Sequence, residues 1–149
     1  MKNKPDGPPP EPYWTVKMIQ AHLESAAHIH RRLPEEKVNG YYSLWPEMMQ
    51  DNWYKYYSSL EAKNRYGPPY AREVDYMEYV MTWLRWPTPH EQRIIWARAN
   101  RLPWKVLEYD FQSCKATLWK YQNQGLVKIA VRLNTVDPEG YKIKEREIY

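Results

Sequence analysis

WARANRLPWKVLEYDFQSCKATLWKYQNQGLVKIAVRLN, residues 96–134, reads as two helices around a tight turn. Trp104, Leu107 and Phe111 recur at three- and four-residue spacing, the period of one helix face, and Pro103 suits a first helical position, where its missing N–H costs nothing. The scaffold helix is expected from about Leu102 to Asp110. Gln112 and Ser113 break the pattern, and Leu118, Tyr121, Leu126, Ile129, Ala130 and Leu133 then trace the apolar stripe of a longer second helix.

A short helix, a turn and a second helix make a helix-turn-helix, whose second helix enters the major groove of DNA with its N-terminal side chains at base edges. With Leu118 and Tyr121 turned to the core, Lys115, Ala116, Trp119, Lys120 and Asn123 point outward, and Cys114 starts the helix. Lys115 and Lys120 suit guanine edges or phosphates, and Asn123 suits adenine. Together with Lys105 and Cys114 these five residues form the candidate DNA-binding set. Arg101 to Asn134 carries six basic and two acidic residues, a surplus of four that equals the net charge of the whole chain. The competing reading is a helical hairpin whose basic face is merely solvated. Two positions favour it: Gln112 stands where such turns usually carry glycine, and Glu108 where the crossing helix usually carries a small residue.

The segment resembles the C-terminal, promoter-reading domain of sigma factors in layout. The whole chain is similar to a family of uncharacterised proteins from alphaproteobacteria and their phages or prophages. That similarity rests on WTVKMI at 14–19, RRLP at Arg31–Pro34, VNGYYSLWPE at Val38–Glu47, WLRW at Trp83–Trp86, IIWARANRLPWK at Ile94–Lys105 and IAVRLN at Ile129–Asn134, and covers about residues 13–134. It implies a helix-turn-helix protein that binds double-stranded DNA, used in transcriptional regulation. Members carry a turn of the F-G-[IV]-S-R type. Here Phe111 and Lys115 match that pattern, whereas Gln112 and Cys114 replace the turn glycine and the capping serine.

Composition bounds the rest. A chain of 149 residues suits one domain with a sizeable core. Eight Trp and fourteen Tyr against one Phe favour half-buried positions, because each indole or phenol carries a polar tip that needs water or a partner. One cysteine excludes an internal disulfide, and no Cys/His spacing offers a metal site. The opening MKNKPDGPPPEP has no apolar run, so neither a secretory signal nor a membrane span is expected and the location is read as cytoplasmic. A pI near 9.0 permits nucleic acid without demanding it.

The fold class expected is all-α: a helical bundle ending in a helix-turn-helix, with a Pro-rich N-terminal segment and a charged C-terminal tail. Residues 1–12 are read as disordered and residues 13–66 as a helical scaffold. In that scaffold Thr15 caps a helix whose face is Val16, Ile19, Leu23, Ala26, Ala27 and Leu33 and which ends near Pro34. His22, His28 and His30 fall on it; His28 and His30, two apart, do not share a face, so the three are read as solvent-exposed rather than metal-binding. A second helix is expected over about Pro46–Lys63, with Trp53, Tyr54, Tyr56 and Tyr57 spread around it. Gly67, Pro68 and Pro69 mark a break before a region spanning 69–134. It opens with a helix over about Pro69–Trp86, where Val74, Met77, Met81 and Leu84 form a core or dimer seam, followed by a helix opened by the capping box of Thr88, Pro89 and Glu91. Residues 135–149 are read as a disordered charged tail in preference to an arm that orders on a partner.

Nothing suggests an enzyme or a cofactor. No Gly-rich phosphate loop, nucleophile elbow or HExxH is present, and Glu47 and Asp51, four apart, read as an exposed acidic edge. The partner expected is duplex DNA, with RNA polymerase or a phage protein and self-association left open and no membrane. Two alternatives stand beside it: a phage DNA-packaging recognition subunit of the small-terminase type, and a protein-interaction module with a degenerate helix-turn-helix.

Overall fold

The computed structural model describes residues 11–33 and 67–147. Among them are six α-helices and no strand: α1 Val16–Arg31, α2 Ala71–Thr82, α3 Pro89–Ala99, α4 Trp104–Phe111, α5 Lys115–Val136 and α6 Tyr141–Glu147, with a 3-10 turn at Trp83–Arg85 after α2. The all-α expectation is met. The helix expected over Pro46–Lys63, with Trp53, Tyr54, Tyr56 and Tyr57, lies outside the described residues, as do Glu47, Asp51 and residues 1–10.

Capping sets the helix starts where the sequence places them. Thr15, extended at φ −111°, accepts the Met18 N–H on its hydroxyl at 3.2 Å and opens α1. Thr88 and Glu91 close a reciprocal box at the head of α3: the Glu91 N–H reaches the Thr88 hydroxyl at 3.3 Å, and the Thr88 N–H reaches the Glu91 carboxylate at 2.9 Å. The helix read over Pro69–Trp86 is shorter in fact. It begins at Ala71, where the Tyr70 N–H is held by Glu73 at 2.9 Å, and tightens into the 3-10 turn after Thr82.

α1 packs against α2, α3 and α5. Its Ile19, Leu23, Ala26 and Ala27 are buried, and they meet Met77 and Val80 of α2, Ile95 and Trp96 of α3, and Leu126, Ile129 and Leu133 of α5 in one apolar core. Each of the larger aliphatic side chains contributes roughly 1.5–3 kcal/mol by leaving water, and each alanine methyl about 0.8 kcal/mol. Of the seam expected along α2, Met77 and Leu84 are buried in this core and Val74 and Met81 pack against it, so these positions serve the bundle. Two tryptophans anchor one end, Trp14 and Trp83, edge to face at 5.2 Å.

Two expectations are corrected. The histidines of α1 are not solvent-exposed: His22 and His28 are half-buried, and His30 is 3% exposed with its ring against Trp96 at 5.6 Å. The apolar neighbours of α1 cover more of its circumference than one stripe. Burial, reinforced by the charge of Arg31, pushes His30 down to about pKa 4, so it sits neutral in the bundle. Residues 137–147, in turn, are not an unstructured tail. Asp137 is buried, and its carboxylate accepts the N–H groups of Tyr141 at 3.0 Å and Lys142 at 3.2 Å, which starts α6. Ile143 then enters the core. The Asp137 carbonyl accepts the Trp14 indole N–H at 2.7 Å, while the Asn134 side chain brackets the Trp14 backbone with two bonds of 3.1 Å. Chain segments more than a hundred residues apart are thereby clasped together.

Candidate nucleic-acid interface

α4 and the first turns of α5 pack around a second, smaller core. Leu107 of α4, Leu118 of α5, Leu102 before α4, and Ile94 and Ala97 of α3 are buried together, with Trp104, Val106 and Phe111 closing its rim. Pro103 stands one position before the helix, as its cap, and its carbonyl accepts the Val106 and Leu107 N–H groups. Leu107 supplies the interhelical contact, and Glu108 lies half-buried beside it.

The turn between α4 and α5 is tight although no glycine stands in it. Gln112 adopts φ 50°, ψ 45°, the left-handed conformation that glycine takes without cost, and the Gln112 and Ser113 N–H groups both turn back to the Glu108 carbonyl. Cys114 is extended and stands as the N-cap of α5, its sulfur 3.2 Å from the Thr117 hydroxyl. That contact and the free N–H groups of the first turn hold the exposed thiol below its usual pKa.

Of the candidate set, Lys105, Cys114, Lys115, Ala116, Trp119 and Lys120 are exposed, and Asn123 is half-buried. Trp119 keeps 56% of its surface in water. Lys115, Ala116, Trp119, Lys120 and Asn123 share the outward arc of the first two turns of α5, at the positive end of the helix dipole. The Lys115 ammonium lies 5.9 Å from the Trp104 ring centroid, whose ring also carries the Arg98 guanidinium at 4.3 Å, so two cations gather where α3, α4 and α5 meet.

Tyr121 is a correction. It does not face the core but is 39% exposed, and Gln122 takes the inward place between Leu118 and Leu126. The buried stripe thus runs through 118, 122, 126, 129 and 133, a better helical repeat than one through 121. The Tyr121 ring instead meets His90 at 4.8 Å, and His90 meets Phe111 at 5.4 Å, with Arg93 5.3 Å over Phe111. Neither His90, exposed, nor Arg93, half-buried, stands out in the sequence, because a polar pair in the first turns of α3 gives no signal until the chain returns beside it.

A concavity of about 620 Å³ lies beside α1. Its arginines are engaged from within: Arg32 with Glu73 at 3.2 Å, Arg101 with Glu24 at 3.9 Å, and Arg31 with Asn100 at 2.8 Å. Among the described residues no three His, Cys, Asp or Glu side chains are grouped to hold a metal, and no helix is long and apolar enough to cross a membrane.

The family model described as a domain of unknown function, DUF6362, matches residues 31–129. The chain belongs to the DUF6362 family. The DUF6362 match runs from the end of α1 into α5 and so includes α4, the turn after it and the first part of α5 with its outward arc. No curated protein and no solved structure matches the chain.

Proposed function

We propose that this DUF6362 protein binds duplex DNA with α5 as its reading helix and α4 as the support that sets its angle, and that it serves transcriptional regulation in a phage or prophage setting rather than catalysis. The observation that carries the reading is the left-handed turn at Gln112, which joins α4 to α5 while Lys115, Trp119 and Lys120 project into solvent beyond it. A helix N-terminus with flanking lysines attracts phosphates, and side chains on its first turns reach base edges. The resemblance to sigma-factor promoter-reading domains supports the assignment to transcription by analogy alone.

Anisotropy titration of a labelled mixed-sequence duplex tests it. The expected result is a dissociation constant on the order of 10⁻⁴–10⁻⁶ M that weakens steeply with added salt, as phosphate contacts release counterions. Charge reversal of Lys115 and Lys120 together is expected to weaken it by about 10-fold or more. Absence of binding at low salt with protein raised to about 10⁻⁴ M overturns the proposal.

One observation favours a second reading, a protein-interaction module. Val127 and Val131, one turn apart on α5, are both exposed, and neighbouring apolar side chains on one helix face suit a protein partner. Retained function in cells after charge reversal at Lys115 and Lys120 would select that reading over DNA.

A further inference from the structure

The arc of α5 that points outward is not uniformly cationic. Ala116, Trp119, Asn123 and Val127 follow one another at three- and four-residue spacing and so share a face, with Lys115 and Lys120 to either side. Ala116, Trp119 and Val127 are exposed. Phosphate contact requires charge and hydrogen-bond donors, and an indole with more than half its surface in water adds little to it. Base edges in the major groove differ in this respect: thymine alone presents an apolar group, its C5-methyl, and adenine, its partner, presents the N6 donor and N7 acceptor that a carboxamide meets with two bonds.

Resting on the DNA-binding reading, we propose that this face selects A·T base pairs. Thymine methyls pack against Trp119 and Ala116, Asn123 takes the adenine edge, and Lys115 and Lys120 hold the flanking phosphates. The lysines and the helix N-terminus favour a polyanion over a protein as the occupant, and the apolar centre of the arc favours thymine over guanine or cytosine within that polyanion.

Three duplexes of equal length, one of A·T pairs, one identical but with uracil in place of every thymine, and one of G·C pairs, separate the possibilities in low-salt anisotropy titrations. The A·T duplex is expected to bind tightest, and loss of the methyl to cost about 4-fold per thymine contacted. In W119A the difference between thymine and uracil should shrink to less than about 2-fold, while salt-dependent binding to the G·C duplex persists; W119F, which keeps an apolar ring, should retain most of the difference. Helical circular dichroism of both variants checks that α5 is intact. Equal affinity of the wild-type chain for the thymine and uracil duplexes overturns this inference and leaves DNA binding standing. A difference that survives in full in folded W119A also overturns it. Failure of all three duplexes to bind overturns it together with the reading beneath it.

Discussion

Gly125 brings α5 so close to α3 that a β-carbon on it would stand 2.5 Å from Ile95 Cδ1 and 3.2 Å from Glu91 Cβ. Alanine at this position gains about 1 kcal/mol of helix propensity, but must push aside a buried isoleucine, and overpacking of that kind costs about 1–3 kcal/mol. G125A is therefore expected to be destabilised by about 1 kcal/mol and G125V by about 3 kcal/mol, read from denaturant midpoints. An increase in stability for G125A would show that α3 and α5 are free to separate.

The same close approach lets Lys128, one turn further along α5, place its ammonium 2.7 Å from the buried carboxylate of Glu91. Burial alone would raise the Glu91 pKa; hydrogen bonds from Lys128 and from Thr88 outweigh it and hold the carboxyl below its ordinary value. A depressed carboxylate stabilises the fold above its unfolded pKa, and that contribution is lost as pH falls through the folded one. Because Lys128 is itself nearly half exposed, solvent screens the pair, and K128M is expected to cost only about 1 kcal/mol at neutral pH. The cost should fade towards acid, where the wild-type chain loses the same interaction; a penalty unchanged at low pH would mean that Lys128 acts through packing of its stem.

His30 gives a second acid-sensitive limb of a different origin. Its folded pKa, about 4, lies below the ordinary value of 6.5, so the unfolded chain takes up the proton first and stability falls as pH drops below 6.5. The loss should reach about 2 kcal/mol near pH 5 and level off at about 3 kcal/mol below pH 4. H30L removes the titrating group, and its stability should vary less between pH 7 and pH 5 than that of the wild-type chain. Equal slopes for the two would place the His30 proton in contact with water.

The sequence made the helices visible wherever a cap and a stripe coincided: Thr15 with Ile19 and Leu23, Thr88–Glu91 with Ile94 and Ile95, and the paired stripes on either side of Gln112. It misled where a local pattern had two physical solutions. Tyr121 and Gln122 both lie within one turn of Leu118, and hydrophobicity selects the tyrosine, yet the phenol reaches His90 at the rim while the carboxamide goes inward. YKIKEREIY is charged enough to read as a tail, because the core that receives Ile143 is built by residues distant in the chain. The candidate interface was legible as a spacing of exposed positions along α5, and the aromatic contacts of His90 and Phe111 behind it were not, since they arise only when α3 and α5 cross.

Gln112 offers a direct test of the turn on which the interface depends. Its backbone sits at φ 50°, where a β-carbon crowds the following carbonyl at a cost of about 1 kcal/mol, partly offset in any glycine variant by the greater freedom of the unfolded chain. Q112G is expected to be more stable by about 0.5–1 kcal/mol, and Q112V, whose branched side chain resists the left-handed region, less stable by about 1–2 kcal/mol. If α4 and α5 meet as described, the valine variant should also speed amide exchange at Ser113 and in the first turn of α5, because the N–H groups that fold back onto Glu108 lose their fixed geometry. A valine variant as stable as the wild-type chain, with unchanged exchange at these amides, would show that residue 112 does not adopt the left-handed conformation, and the angle between the two helices would then be set some other way.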